Sequence, residues 1–202
     1  MAVRRRCLRN SVRVLQARRR ERTTTPRVQD ISASTAAANQ ASPLSLKVMT
    51  VNTHKGFAAL NRRFILPELR EAVRTVGADL VFLQEVLGTH SRHSQTIQNW
   101  PQAPHYEFLA DTMWPQFAYG RNAVYPRGHH GNALLSKFPI VQHRNHDVSL
   151  NGVEKRGLLH CTLRLPGHAV DVHAICAHLG LSEEQRDQQL ELLCHIVRDE
   201  VP

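Results

Sequence analysis

Four polar residues in this 202-residue sequence stand at or just beyond the ends of predicted β-strands. Asn52 and His54 follow LKVMTV, Glu85 follows LVFLQ, and His178 follows AVDVHAICA. A carboxylate and an amide oxygen suit a hard cation such as Mg²⁺, and a nearby imidazole can stabilise or protonate groups on a phosphate. Together these residue types predict metal-assisted chemistry on phosphate. Taken singly, Asn52 as a turn residue and His178 as a structural histidine remain open alternatives.

The position of Glu85 needs an explanation, because this carboxylate follows an apolar run that is typical of a buried strand. Dehydrating a carboxylate costs several kcal/mol unless a cation or hydrogen-bond donors compensate. Three explanations compete at this stage. The strand and a loop simply meet at Glu85, a structural partner satisfies the charge, or the carboxylate holds a metal ion.

The elements that position Asn52 and Glu85 form a predicted βαβ unit. LKVMTVN (46–52) alternates like a strand, NRRFILPELREAVRTVG repeats apolar residues at helical spacing and ends in Gly77, and LVFLQEV (80–86) is β-rich. The two strands of such a unit are parallel with a right-handed crossover. Their carboxyl ends therefore meet at one edge, where open sheets bind ligands. We expect Glu85 to lie at the floor of a cleft.

Downstream residues predict further strands and one long helix. The predicted strands are HYEFLADTM, FAYGRNAVY, GNALLS, IVQHRNHDVSL, GLLHCTLRL and AVDVHAICAHL. The helix covers 182–198, where Ser182 and Gln185 form a capping box and Leu190, Leu193 and Val197 supply an apolar face. Two helices and about eight strands in mixed order predict a layered α+β sandwich.

Positive charge is concentrated in the first 45 residues. They contain ten Arg but only Glu21 and Asp30 as acids, which accounts for +8 of the net charge of +9 and leaves 46–202 nearly neutral. We expect residues 1–45 to be a disordered Arg-rich extension, because they bury too little apolar surface to offset chain entropy. A variable extension, a transit-type segment and an arm for anionic partners all remain open. No apolar run approaches the roughly 18 residues of a transmembrane helix.

The cysteines and histidines give weaker signals. Four cysteines without CxxC pairing favour buried thiols in a reducing, cytoplasmic compartment over disulfides or zinc. Three closely spaced histidine pairs favour loop histidines over a zinc site, because no second cluster has matching spacing. These pairs are His90 and His93, His129 and His130, and His143 and His146.

Several motifs resemble those of the endonuclease/exonuclease/phosphatase superfamily, whose type member is pancreatic deoxyribonuclease. They are VNTHKGF, DLVFLQEV, GNALLSKFPI, EKRGLL and AHLGL, in this order. Longer stretches, including HYEFLADTMWPQFAYGRNAVYPRGHHGNALLS, resemble the bacterial YbhP-like subgroup, and the resemblance covers about residues 46–200. It implies a four-layered α/β sandwich that hydrolyses phosphoric esters with Mg²⁺ or Mn²⁺. The implied substrate is a nucleic acid, a phospholipid or a small phosphodiester.

The resemblance also implies roles for individual residues. Glu85 and Asn52 correspond to the metal-binding pair, and together with His178 they form the implied catalytic set. Weaker matches imply three substrate-binding residues, which are His54, Asn132 and Arg156. For Asn132 and Arg156 the alternative is a role in holding the fold together.

The superfamily pattern continues with Gly-Asp-x-Asn and Ser-Asp-His motifs, which this sequence lacks. We therefore expect 46–202 to be the N-terminal portion of the domain without its C-terminal strands, and to hydrolyse esters poorly or not at all. Loss of a general base alone typically lowers the rate about 10²- to 10⁴-fold. The alternative function is a non-catalytic fragment that binds nucleic acid or another anionic partner through residues 1–45. The nearly neutral body argues against a long duplex footprint.

Overall fold

The computed structural model of this protein describes residues 45–58, 63–150 and 154–202. The predicted disorder of residues 1–45 therefore lies outside the described residues, apart from Ser45. Among the helices of the described ranges, none is both long enough and apolar enough to cross a membrane.

The described residues contain seven strands and four α-helices. In chain order they are β1 Val48–Asn52, α1 Leu66–Val76, β2 Leu80–His90, α2 His93–Thr96, α3 His105–Ala110, β3 Gln116–Tyr125, β4 Gly128–Ser136, β5 Ile140–Asp147, β6 Gly157–Leu163, β7 Val172–Ala177 and α4 Glu183–Glu200. One sheet has the strand order β1-β2-β4-β3, and the other has the order β5-β6-β7. A short 3-10 helix, His54–Gly56, follows β1.

The predicted βαβ unit is confirmed. Strands β1 and β2 are parallel, with Asn52 paired to Gln84 at the end of the ladder. Helix α1 has Pro67 in its first turn and ends at Gly77, which has a left-handed φ of 60°. Glycine adopts this conformation without a Cβ clash, and its N–H donates to the carbonyl of Val73 to close the helix.

The apolar core has two parts, one on each face of the first sheet. On one face of the first sheet, Val81 and Leu83 pack with residues of α1 and α3. On the other face, Leu80 and Leu134 pack with Leu159 and further residues of the second sheet. Because successive side chains of a strand point to opposite faces, β2 and β4 contribute to both interfaces.

Helix α4 adds the outer layer on the second sheet. The predicted capping box is present, because Ser182 Oγ accepts from Gln185 N–H and the Gln185 side chain accepts from Ser182 N–H. Gln189 is buried and donates from Nε2 to the carbonyl of Val148, at 3.0 Å. Glu200 contacts side chains of the second sheet near the end of the helix. The resulting order of helix, sheet, sheet and helix confirms the predicted four-layered α+β sandwich.

The prediction of a strand in HYEFLADTM was wrong, because this segment forms α3. Tyr106 and Phe108 alternate as in a strand, but the buried residues are His105, Leu109 and Ala110, which follow helical spacing. Leu109 and Ala110 pack in the core between the helices and the first sheet, and this burial favours the helix over the strand. Local alternation is therefore overridden by tertiary burial.

The interpretation of the paired histidines as loop residues was also wrong. His90 ends β2 and His93 begins α2, and their rings stack with centroids 3.6 Å apart. The other two pairs lie within β4 and β5.

The interpretation of buried thiols is confirmed for Cys161 and Cys176, where burial raises the pKa of both thiols to about 12.

Acid should destabilise the fold through His105, whose side chain is 1% exposed. Burial lowers the pKa of His105 to about 3, so the folded protein keeps this imidazole neutral while the unfolded chain takes up a proton below about pH 6.5. The contribution of His105 to stability is complete above pH 6.5 and decreases as the pH falls towards 3. We expect the free energy of unfolding to drop by several kcal/mol over this range.

Urea unfolding at a series of pH values measures this effect. In the His105→Gln variant, the slope of the unfolding free energy against pH should be smaller by an amount equivalent to at most one proton. The control is His143→Gln, because His143 is exposed on β5. An equal pH dependence in His105→Gln and the wild type would contradict the assignment.

Candidate active site

The site is built around an irregularity in β2 at Glu85. Leu83 pairs with Ala133 and Val86 with Gly131, so two residues of β2 lie opposite Asn132 alone. Glu85 has a φ of 51°, in the left-handed region. Such a bulge re-aims a side chain and is over-represented next to active sites. The sequence predicted a strand over residues 80–86 with Glu85 near its end, whereas β2 continues to His90 and Glu85 is held at the bulge.

Thr53 ties the end of β1 to this bulge. Its side chain is buried, and its Oγ1 donates to the carbonyls of Gln84 and Glu85, at 3.1 and 3.0 Å. Its N–H also donates to the Gln84 carbonyl, at 2.9 Å. A left-handed, non-glycine conformation costs on the order of 1–3 kcal/mol and persists only where its surroundings determine it. The hydrogen bonds from Thr53 fix the backbone conformation of Glu85 in this way.

Polar and cationic groups surround the Glu85 carboxylate, whose side chain is 20% exposed. Asn52 Nδ2 donates to Oε1 at 3.1 Å, and Lys55 Nζ donates to Oε2 at 3.2 Å. Burial by itself would raise the pKa of Glu85, but the Asn52 hydrogen bond and the Lys55 charge outweigh it and lower the pKa below its ordinary value. Glu85 is therefore ionised at neutral pH.

A turn after β1 places Lys55 and His54 on the same side. Both residues have positive φ angles, 45° for His54 and 59° for Lys55, and the His54 N–H donates to Asn52 Oδ1 at 3.0 Å. His54 Nδ1 lies 3.9 Å from Glu85 Oε2. The unusual backbone of this short turn thus directs two basic side chains towards one carboxylate.

His178 approaches Glu85 from the loop after β7, with Nε2 3.8 Å from Oε1. Burial, followed by the charge of Arg156, lowers the pKa of His178, although Glu85 opposes this effect. Arg156 donates from Nε to the carbonyl of Leu179 and from Nη2 to Glu154 Oε2, at 3.2 and 2.9 Å. Arg156 therefore holds the backbone beside His178 and contributes positive charge near the site.

Asn132 lies opposite the bulge but is fully buried. Its Nδ2 donates to the carbonyls of Gly157 and Cys176, at 2.8 and 3.2 Å. These bonds join β4 of the first sheet to β6 and β7 of the second. The geometry supports the fold-holding alternative for Asn132, and its substrate-binding role stays a prediction.

The structure thus brings Asn52, His54, Glu85 and His178 together and adds two residues that the sequence reasoning missed. Lys55 contacts Glu85 directly, and its position in VNTHKGF, next to His54, was the available signal. His130 lies in β4 opposite Leu87, and burial followed by the charge of Lys55 lowers its pKa to about 4. Its Nδ1 is buried and has no hydrogen-bond partner among the described residues. No local pattern distinguishes His130 from its neighbour His129.

A cleft of about 320 Å³ adjoins the carboxylate, because Lys55 both contacts Glu85 and lines the cleft. The other lining residues are Phe57, Leu87, His90, His93 and Tyr125. Aromatic and imidazole rings therefore form most of its wall. An organic group attached to a phosphate could lie against these rings while the phosphate faces Lys55 and Glu85.

Glu85 and Asn52 provide oxygen donors of the type that Mg²⁺ and Mn²⁺ prefer. The carboxylate is ionised, and each of its oxygens has lone pairs beyond those used by Asn52 and Lys55. Asn52 Oδ1 accepts one hydrogen bond and keeps a second lone pair. Mg²⁺ usually binds to one or two carboxylates and retains several waters. This donor set fits such an ion.

The described residues thus form an α+β sandwich of two facing sheets, with a carboxylate, an amide and imidazoles gathered at the end of a parallel strand pair. Residues 49–199 match the family model described as Endonuclease/Exonuclease/phosphatase family. This chain belongs to the endonuclease/exonuclease/phosphatase family.

One similar protein is "Uncharacterized protein YbhP" of Escherichia coli (strain K12), which is 58% identical over 161 residues. That alignment covers 80% of this chain and 64% of the relative, so the chain spans slightly less than two thirds of the relative's length.

Solved structures show the same fold. An endonuclease/exonuclease/phosphatase from Beutenbergia cavernae superposes with a TM-score of 0.58 at 25% identity, covering 78% of this chain and 44% of that one. An endonuclease/exonuclease/phosphatase family protein from Leptotrichia buccalis superposes with a TM-score of 0.57 at 16% identity, covering 77% and 63%.

Replacing Thr53 with Val should destabilise the protein, because the nearly isosteric side chain cannot donate to the Glu85 carbonyl, whereas the Gln84 carbonyl keeps the Thr53 N–H as a donor. A typical intramolecular hydrogen bond contributes about 0.5–1.5 kcal/mol, and we expect a decrease of this size in the free energy of unfolding, measured with urea. Thr75→Val is the matched control, since the exposed Thr75 bonds only within α1. It should change stability by about 0.5 kcal/mol or less. Equal stability of Thr53→Val and the wild type would contradict the assigned role.

Proposed function

We propose that this protein is a metal-dependent hydrolase of phosphoric esters and that Glu85 is the central ligand of its Mg²⁺ or Mn²⁺. The observation that carries the proposal is the Glu85 carboxylate itself, which is held ionised at a left-handed bulge by Asn52 and Lys55. Membership in the endonuclease/exonuclease/phosphatase family supports the reaction class. The catalytic set is Asn52, Glu85 and His178.

Each residue of the set has a task that follows from its contacts. Asn52 orients the Glu85 carboxylate through Nδ2 and turns Oδ1 towards the His54 N–H. His178 is neutral at pH 7, because its pKa lies below the ordinary value, so a ring nitrogen can donate a hydrogen bond to a phosphate oxygen. Lys55 and Arg156 supply positive charge for an anionic substrate. His54, which is largely exposed and lies 3.9 Å from Glu85, would contact the same substrate.

A bound Mg²⁺ or Mn²⁺ would neutralise phosphate charge and polarise the ester. Glu85 and Asn52 would hold the ion, and the remaining basic residues would orient the phosphate. The aromatic cleft beside Lys55 would receive the organic group of the substrate. These features favour an organic phosphoester over inorganic phosphate. A nucleic acid, a phospholipid and a small phosphodiester are all consistent with the site.

Replacing Glu85 with Gln tests the proposal directly. The neutral amide keeps the shape of the side chain but removes the charge, so we expect Mn²⁺ to bind at least about tenfold more weakly, as is typical even for changes around a metal ligand. Isothermal titration with Mn²⁺ measures this in the 202-residue chain. Hydrolysis of bis-p-nitrophenyl phosphate, where detectable, should fall in parallel.

The matched control is Glu68→Gln, because Glu68 is an exposed carboxylate on α1 that is ion-paired with Arg63. It should leave Mn²⁺ binding unchanged. Binding of Mn²⁺ that is equal in Glu85→Gln and the wild type would refute the assigned metal site. Because the chain spans 64% of the relative's length, impaired turnover by the 202-residue chain stays a prediction, and metal binding tests the site without relying on turnover.

A second candidate function rests on the charge distribution. Ten Arg and a charge of +8 in residues 1–45 favour binding to nucleic acid or another anionic partner, whereas residues 46–202 are nearly neutral. Each phosphate contact made by a basic residue adds to the salt dependence of binding.

Deleting residues 1–45 separates the two functions. Fluorescence anisotropy with labelled single-stranded DNA at several salt concentrations should show that the full chain binds with a steep salt dependence and that the deletion removes it, while Mn²⁺ binding at Glu85 remains. Retention of the full salt slope after the deletion would exclude the arm as the binding element.

A further inference from the structure

A second group of metal-ligating side chains lies on the outer face of the second sheet. His160 is in β6, between Leu159 and Cys161, which face the core between the sheets. Because side chains alternate along a strand, His160 faces the opposite way, towards α4. His146 in β5 and Glu200 at the end of α4 contact the same region. Three separate elements thus converge at one point.

The spacing of the three groups matches a tetrahedral metal site. Glu200 Oε2 lies 3.2 Å from both His146 Nε2 and His160 Nδ1, and the three atoms all lie within 4.8 Å of one another. Ligand bonds of about 2.0–2.2 Å at tetrahedral angles separate zinc ligands by roughly 3.3–3.6 Å. A small shift of the side chains would therefore admit an ion among them.

The two contacts of Glu200 Oε2 differ, because His160 Nδ1 forms a hydrogen bond with it, at 3.2 Å, but His146 does not. Its Nε2 is buried and forms no hydrogen bond with any described residue, although Glu200 Oε2 is only 3.2 Å away. A buried imidazole nitrogen without a partner is uncommon, since the large majority of buried polar atoms are hydrogen-bonded. A metal ion between the nitrogen and the carboxylate would satisfy it.

Groups behind the cluster resemble the outer partners that orient metal ligands. His160 is 6% exposed, and its second nitrogen, Nε2, lies 2.8 Å from His173 Nδ1. Arg144 Nη1 donates to the other carboxylate oxygen of Glu200, at 3.4 Å. Ligating histidines almost always donate their second N–H to a carboxylate, a backbone carbonyl or water, and ligating carboxylates are themselves hydrogen-bonded. At His160 the imidazole of His173 takes the place of such a partner. A small cavity of about 60 Å³ lies beside the cluster, where it is lined by His160, His173 and Glu200 but not by His146.

We propose that His146, His160 and Glu200 form a Zn²⁺-binding site that is separate from the Glu85 site. Two imidazoles and one carboxylate suit zinc, whereas a site for Mg²⁺ is built from oxygen ligands. The ion would link β5, β6 and the end of α4, and its fourth position would be open to water. His173 and Arg144 are positioning residues, because they act through the ligands.

Zinc titration of metal-stripped protein in excess Mg²⁺ tests the proposal. We expect one Zn²⁺ per chain. Glu200→Gln and His146→Gln should each weaken binding at least about tenfold, and His173→Gln should weaken it about 10- to 100-fold, as expected for an outer partner. The exposed His195, on the same helix as Glu200, provides the control, so His195→Gln should bind like the wild type. Glu85→Gln should also retain Zn²⁺, which separates this site from the proposed active site.

Two further measurements address folding and ligand type. His146 and Glu200 are more exposed than His160, so their variants should fold, as circular dichroism will show. Co²⁺ bound in place of Zn²⁺ should give a visible spectrum typical of tetrahedral nitrogen and oxygen ligands, without a thiolate charge-transfer band. Absence of Zn²⁺ binding, a thiolate spectrum, or wild-type affinity in both Glu200→Gln and His146→Gln would overturn the proposal.

Discussion

The charge of one partly buried carboxylate sets the arrangement of its surroundings. Glu85 stays ionised although burial opposes ionisation, because Asn52 and Lys55 donate to its two oxygens. The same residue has a left-handed backbone in the middle of a strand, a conformation that costs free energy and that Thr53 stabilises from the end of β1. Strain and charge at one position are both offset by residues of a single segment, Asn52–Lys55. Strained backbone of this kind clusters at active sites and ligand-binding sites.

The site and the packing of the two sheets share the same region. Asn132 lies opposite the bulge that contains Glu85 and donates to carbonyls of both β6 and β7, so it joins the two sheets at this point. Cys176 Sγ reaches the carbonyl of Leu83 from the second sheet, at 3.5 Å. His178 follows two residues later in the chain and approaches Glu85. Inter-sheet hydrogen bonding therefore determines where the imidazole lies relative to the carboxylate.

The two polar clusters differ in the ions that they suit. Around Glu85 the oxygen donors are a carboxylate and an amide, which favour a hard cation that keeps its waters. At the outer face of the second sheet, the donors are two imidazoles and Glu200, which favour a borderline ion such as Zn²⁺. The second sheet separates them, since His160 and the core residue Leu159 point to opposite faces of β6. The two proposed sites would therefore not compete for the same ion.

The sequence alone determined the elements whose signals are local. The βαβ unit, the stop at Gly77 and the capping box at Ser182 depend on periodicity or on residues within a few positions. Asn52 and Glu85 could be placed near one another because parallel strands end at one edge. Only the tertiary structure decided that Glu85 sits in a bulge, that 105–110 is a helix, and that histidines of β5 and β6 meet the end of α4. These features depend on strand register and on contacts between residues far apart in sequence, and no local pattern encodes either.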